Sequence, residues 1–439
     1  KDKDLGKKVP KKFHYVLDKL SNNVLVLLSA TPMFNDYKEI KFILNTLLIN
    51  NKDKQIDNKL SIFNNNNELN DEFKKILIKS SNKFISYMRG ENPYTFPIRL
   101  YPSINKDQNL LKKSDYPSKD INNNNIDNNE QIKYLELIQT KMSTIQNNIY
   151  NTIKVDEDEE SDKIDLQQRV QVSNIIFPNK TILDDNNKLK DKFDIKNSYG
   201  KTGFDKIFNK KDDNNMKIEY KKEILDTYGE ILDNNNISKY SPKIKLLLDY
   251  IKKSEGIVLV YSKYIYSGII PIAVALEHNG YKKYNNNILT KSKSSSSSKN
   301  LGNYIIISGD SKLSPNIPRE IAIVNDKDNK DGNNIKIIII SESGTEGLDF
   351  KNIRQVHIFE PWYNVNRLEQ IIGRAVRNYS HYDLPEAKRN TTIYQYVNLC
   401  NNTDVESIDF RMYRISENKQ KNISKIEKIM KENSIDCNL

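Results

Sequence analysis

The chain has 439 residues, enough for two or three domains and too many for a disulfide-held miniprotein. Lysine and arginine (69) exceed aspartate and glutamate (58) by 11, a balance that favours polyanionic partners. Two cysteines exclude a disulfide framework, four scattered histidines lack zinc-ligand spacing, and no apolar run nears the roughly 18 residues of a membrane span.

A reducing, cytoplasmic setting without a membrane partner is therefore expected. Because the first residue is Lys1, the chain is expected to be part of a longer product. Apolar residues are 37% of the total but gather in short runs, a pattern of folded blocks separated by solvated insertions.

The first block, residues 1–50, predicts a strand over Val24–Leu28, a Ser29-Ala30-Thr31-Pro32 turn, and a helix from Asp36 carrying Ile40, Ile43, Leu44, Leu47 and Leu48 at helical spacing. Residues 51–239 form an insertion-rich middle region. Its patterns predict helices over Glu72–Met88 and Glu130–Ile149, with the acidic run Asp156–Asp162 as a solvated linker. Asparagine runs at 64–67, 122–125, 234–236 and 285–287 belong in surface loops.

From Tyr240 the texture changes. Ser241-Pro242 opens a helix with Ile244, Leu247, Leu248 and Ile251 inward, and strands are predicted at Ile257–Tyr261, Tyr304–Ser308, Lys336–Ile340, Gln355–Phe359 and Ile393–Val397. Helices at Tyr264–Asn279, Pro318–Asn325 and Val365–Val376 separate them. Residues 240–403 thus read as an α/β unit, a parallel sheet with helices on both faces. Residues 404–439 read as a basic helical tail with Arg411, Arg414, Lys419, Lys425, Lys428 and Lys431.

The sharpest chemical signal is Gln370-Ile371-Ile372-Gly373-Arg374-Ala375-Val376-Arg377. On a helix, Gln370, Arg374 and Arg377 fall within about 60° of arc, opposite Leu368, Ile371, Ile372 and Ala375. One side docks on a sheet while the other presents two guanidinium groups, whose planar forks suit phosphate and keep their charge at any ordinary pH. The bland alternative is a surface helix whose arginines pair with carboxylates.

Upstream, Ser341-Glu342-Ser343-Gly344-Thr345-Glu346-Gly347-Leu348-Asp349 follows a predicted strand directly, and loops at the carboxyl ends of parallel strands are where such sheets bind ligands. Gly344 and Gly347 allow close backbone approach to phosphate. The hydroxyls of Ser341 and Thr345 can donate to it, and Asp349 can accept from a ribose. Ser29 and Thr31, at the end of the first predicted strand, are weak signals alone, since such residues commonly cap helices.

Ser29-Ala30-Thr31, Val258–Tyr261 with Ser262, Ser308-Gly309-Asp310, Gly347-Leu348-Asp349 and Gln370 to Arg377 occur in the order of motifs III to VI of superfamily 2 helicases, which the chain resembles. Longer stretches narrow the resemblance: Ile85–Pro97, Phe359-Glu360-Pro361-Trp362-Tyr363-Asn364, Ser380-His381-Tyr382-Asp383-Leu384-Pro385 and the closing Glu406–Leu439. These are similar to the helicase-type ATPases of nucleocytoplasmic large DNA viruses, the group related to the poxvirus early transcription factor small subunit and nucleoside triphosphate phosphohydrolase I.

The resemblance implies a RecA-like second lobe that supplies Arg374 and Arg377, with help from Gln370, to ATP and Mg²⁺ held mainly by a first lobe. By position Arg377 is the arginine finger and Arg374 its phosphate-binding companion. Gly347 and Asp349 meet the nucleotide and its ribose. Ser262, Ser341, Gly344 and Thr345 meet the nucleic-acid backbone, and Ser29 and Thr31 couple hydrolysis to domain movement. DNA or RNA, a first lobe upstream or in trans, and viral transcription machinery are the implied partners. Glu346 stands where many relatives carry arginine.

No Gly-x4-Gly-Lys-[Ser/Thr] loop is present: Gly200-Lys201-Thr202 has Ile195 where the earlier glycine belongs. Asp156-Glu157-Asp158-Glu159 lies in a polar stretch rather than after an apolar strand. Two readings follow. The first is the C-terminal portion of an ATP-dependent helicase or translocase, inactive by itself; the second is a non-catalytic nucleic-acid-binding or transcription-complex subunit.

Overall fold

Short runs of isoleucine and valine build the frame. The computed structural model describes residues 2–87, 92, 94–154, 159–211, 215–290, 300–342 and 347–437. Its strands, in chain order, are β1 (Ile98–Leu100), β2 (Ile138–Lys141), β3 (Phe208–Lys211), β4 (Lys217–Tyr220), β5 (Ile257–Tyr261), β6 (Lys282–Lys283), β7 (Asn303–Ile307), β8 (Ile337–Ile340), β9 (Ile353–Ile358) and β10 (Asn390–Leu399).

Eight of them form one sheet in the order β1-β10-β9-β5-β8-β7-β6, with β2 also on β10, and every pairing in it is parallel. Long β10 carries β1 along residues 390–392 and β2 along 396–399. β3 and β4 make a separate antiparallel hairpin.

Alternation along the strands sorts their side chains onto two faces. Val258, Val260, Ile337 and Ile339 join one apolar cluster with Ile244, Leu247 and Ile251 of the helix Pro242–Lys253. Leu259, Tyr261, Ile338 and Ile340 join the other, with Leu368, Ile371, Ile372 and Ala375 of the helix Val365–Ala375. These side chains are almost wholly buried, each worth about 1.5–3 kcal/mol. The expected α/β architecture, a parallel sheet covered on both faces, is the one observed.

The chain divides into two compact units. One comprises Lys1–Gly90, Asn364–Arg367 and Ile415–Leu439; the other comprises Glu91–Tyr363 and Leu368–Arg414 and holds the sheet. The smaller unit packs Ile40, Leu44, Phe73 and Leu77 with Ile423, Ile426 and Met430 of the closing helix. Its helix Asp71–Phe84 is capped by Asn70 and ends before the Met88 expected for it.

Several expectations need correction. Residues 51–239 are not one block: Asn51–Gly90 belongs to the smaller unit, while the rest supplies β1 and β2 and packs on both faces of the sheet, mostly on the face of Val258 and Val260. Val24–Leu28 forms no strand, because an extended run becomes one only by pairing, and no described segment pairs with it; Val24 and Leu28 are 91% and 92% exposed.

Glu130–Ile149 is not one helix. Ile138–Lys141 is recruited to the edge of β10, and Ser143 then caps a new helix over Thr144–Thr152. The end of the acidic run is helix rather than linker, since Glu159 opens the helix Glu159–Asn174; Asp156, Glu157 and Asp158 lie outside the described residues. The closing helix, Ile408–Glu432, is less free than its basic composition suggests: Arg414 is buried and paired with Glu406 and Glu130, and Arg411 also pairs with Glu406.

Candidate functional site

Ser262 and Ser341 follow the carboxyl ends of β5 and β8, whereas Asp349, Arg374 and Arg377 gather beside the residues that lead into the amino end of β9. β8 ends at Ile340, and Ser341 follows, buried, its N–H bonded to Ile307 O. Gly344 and Thr345 lie outside the described residues. At Gly347 the backbone has φ +71°, a conformation suited to glycine, and among the described residues a Cβ there would meet nothing within 4 Å.

Asn325, just past the helix Ile317–Val324, sets the next residues. Its amide donates to Asp349 O (2.9 Å) and its carbonyl accepts from Lys351 N (2.9 Å), pinching the chain on both sides of buried Phe350. Phe350 N donates to Arg374 O (3.2 Å) and Arg374 Nη1 donates to Leu348 O (3.1 Å). The glycine loop and the arginine helix are thereby tied together in both directions.

Arg377 is not on that helix, contrary to the expected arc, because the helix ends at Ala375. Ser380 makes the stop: its Oγ donates to Ala375 O (3.2 Å) or His381 Nδ1 (2.9 Å) and accepts from Arg377 N (3.3 Å). His381 is buried, and its Nε2 lies 2.8 Å from Ile353 O, a contact that requires the proton on Nε2 and leaves Nδ1 an acceptor for Ser380. Burial pulls the His381 pKa down to about 4, with Arg354 and Arg389 adding to the effect, so the ring is neutral at ordinary pH.

The Arg377 side chain turns back, Nε donating to Gly373 O (2.9 Å), and its Nη1 pairs with the Asp349 carboxylate. Both side chains stay solvent-accessible, 41% and 63%. An ion pair so exposed contributes about 0–1 kcal/mol, little against the paired, charge-assisted bonds a phosphate offers a guanidinium. Gly373, inside the helix, has no described atom within 4 Å of where a Cβ would stand, so no packing among the described residues explains a residue that costs about 1 kcal/mol against alanine there. Gln370 is on the exposed side of the same helix.

The remaining candidates separate from this cluster. Ser262 is fully buried, its Oγ donating to the Glu360 carboxylate (3.1 Å), with Lys263 N donating to the same group. Ser262 thus turns its hydroxyl to an internal carboxylate, and Ser341 is buried as well. Ser29 and Thr31 form an exposed local turn in the smaller unit, Thr31 N donating to Ser29 Oγ (3.1 Å). Gly200-Lys201-Thr202 opens the helix Gly200–Ile207, and the Gly200 N–H is taken by Ser267 Oγ (2.8 Å), a docking contact.

Asn325, Ser380 and His381 were not identified as site residues in the sequence. Ser380 and His381 stood only within a longer stretch of resemblance, and Asn325 carried no signal beyond ending a helix. Among the described residues no group of three His, Cys, Asp or Glu converges as metal ligands.

Residues 242–379 match the family described as the helicase conserved C-terminal domain. It is similar to a putative ATP-dependent RNA helicase of Acanthamoeba polyphaga mimivirus, 29% identical over 436 residues, covering 95% of this chain and 61% of that protein. A putative helicase of Invertebrate iridescent virus 3 is 32% identical over 306 residues, covering 68% of this chain and 28% of that one. Nucleoside triphosphatase I of Heliothis armigera entomopoxvirus is 35% identical over 117 residues, 27% of this chain and 18% of the relative. The chain thus spans less than two thirds of the length of each of these relatives.

Proposed function

We propose that this chain is the C-terminal portion of an ATP-dependent nucleic-acid helicase or translocase, whose ATPase site is completed by a first RecA-like lobe. Arg377 is the arginine finger, Arg374 holds the loop and a phosphate, Gln370 assists, and Gly347 and Asp349 receive the nucleotide. The observation that carries the reading is the convergence of Arg377 and Asp349 at one open edge, with free space among the described residues over Gly347 and Gly373. An incoming phosphate displaces Asp349 from Arg377, releasing that carboxylate for a ribose hydroxyl.

Val24–Leu28 supports a further lobe. Five consecutive apolar residues without alternation suit a strand covered on both faces, yet Val24, Val26, Leu27 and Leu28 are exposed. Contacts to nucleic acid fall on the backbone-facing loops, with Gly344 and Thr345 as candidates and Ser29 and Thr31 as coupling residues. With no phosphate-binding loop of the Gly-x4-Gly-Lys type in its sequence, this chain alone is expected not to turn over ATP.

The test is Arg377→Ala in a longer enzyme that contains both lobes. Hydrolysis should fall by about 10³- to 10⁵-fold, as for arginine fingers in general. Near-normal turnover rejects the role of Arg377. A wild-type longer protein that binds nucleic acid without hydrolysing ATP favours the non-catalytic subunit instead.

A further inference from the structure

Two residues past Arg377 the backbone adopts a costly conformation with no packing gain to show for it. Tyr379 has φ +57°, in the left-handed region that side chains other than Gly, Asn and Asp rarely enter, yet its ring is 57% exposed. Its N–H donates to Thr95 O (2.8 Å), and that bond holds the turn in place. Tyr382, 66% exposed, stands with its ring centroid 6.1 Å from that of Tyr379, the planes at 72°. The Arg389 guanidinium lies over the Tyr382 ring at 5.3 Å and is locked by bonds to Leu384 O (3.0 Å) and Tyr382 O (3.2 Å). Tyr94, next to Thr95 in the chain, is 88% exposed.

We propose that Tyr379 and Tyr382, with Tyr94 alongside, form a stacking platform for the unpaired bases of a single-stranded nucleic acid beside the arginine turn. The proposal rests on the nucleic-acid reading above and adds a contact that reading lacks. Backbone strain that supports no core packing marks a place where the side chain is needed outside the fold. Aromatic faces accept any base and work only on strands whose bases are unstacked from a duplex. The fixed Arg389 keeps a cation beside the rings, where the phosphates of such a strand run.

The experiment measures binding of this chain, by fluorescence anisotropy, to a short oligothymidylate and to an abasic phosphodiester strand of equal length. Tyr379→Asn removes the ring while keeping a residue that tolerates left-handed backbone, and Tyr382→Ala removes the second. The wild type should prefer the base-bearing strand by roughly 5- to 100-fold, the value of one or two stacks. The double variant should lose most of that preference while its affinity for the abasic strand and its salt slope stay unchanged, which a purely structural defect would not produce. Tyr379→Trp should keep or raise the preference.

An undiminished preference in the double variant overturns the platform. So does a loss confined to ATP binding, because the rings then serve a nucleotide. Failure of the wild type to bind either strand instead removes the nucleic-acid reading itself, and the platform with it.

Discussion

The presentation of Arg377 depends on a histidine that never touches solvent. Neutral His381 relays between Ile353 O and Ser380 Oγ, and Ser380 in turn ends the helix and holds the Arg377 backbone. Because its folded pKa, about 4, lies below the unfolded value near 6.5, the unfolded chain binds the extra proton between those limits. Stability from this group is complete above pH 6.5 and is lost as pH falls toward 4, with a slope of up to about 1.4 kcal/mol per pH unit. His381→Phe should cost about 1 kcal/mol at pH 7 by removing the ring's bonds to Ile353 O and Ser380 Oγ, which keep Thr391 Oγ1 and Ala375 O as partners, and should flatten the acid limb by one proton. Urea unfolding of both proteins at a series of pH values checks this; an unchanged acid slope would mean the ring is not held neutral.

Loops and short helical segments decide access. After β5, the segment Ile265–Ile269 passes so near the strand end that a Cβ on Gly268 would lie 1.9 Å from Ser262 Oγ and 3.0 Å from its Cβ. The glycine thus allows Ser262 to reach Glu360, joining the loop after β5 to the loop after β9. Gly268→Ala should destabilise by about 1–3 kcal/mol through overpacking. In a Ser262→Ala background the cost should shrink without vanishing, since the Oγ clash is relieved and the Cβ contact remains. Thermal melts of the four proteins in that cycle measure the coupling, and simple additivity would contradict the contact.

Across the larger unit, a buried polar network binds segments far apart in the chain. Lys243 Nζ, with no exposed surface, donates to Asn174 Oδ1 (2.8 Å) and Asp409 Oδ2 (2.9 Å), and Asn174 Nδ2 donates to Glu360 Oε2 (3.0 Å). Asp409 also accepts from Ser173 Oγ and Asn398 N. Burial pushes the Glu360 carboxyl up, and Lys243 and the hydrogen bonds pull it back. Lys243→Met should therefore cost about 3–5 kcal/mol, more than its lost packing, because it leaves a buried carboxylate unpaired. Restoring stability with a second change, Asp409→Asn, would confirm charge imbalance as the cause. A cost below about 1 kcal/mol in calorimetry would show the network to be dispensable.

Five of the six described strands from Ile257 to Leu399, the main helices between them and the inward faces of those helices were legible in the sequence, because apolar periodicity and hydroxyl or proline starts act locally; the two-residue β6, Lys282–Lys283, carries no such pattern. Arg377 and Asp349 were legible as chemistry, since residue type and spacing state what a group can bind. What periodicity could not reveal was pairing. Whether an apolar run becomes a strand depends on a neighbour, which Ile138–Lys141 finds on β10 and Val24–Leu28 does not find among the described residues. Whether a hydroxyl faces solvent or a buried carboxylate depends on chain approaching from elsewhere, as it does at Ser262. Local order was thus written in residue spacing, while access, pairing and the end of the arginine helix were decided by contacts between residues distant in sequence.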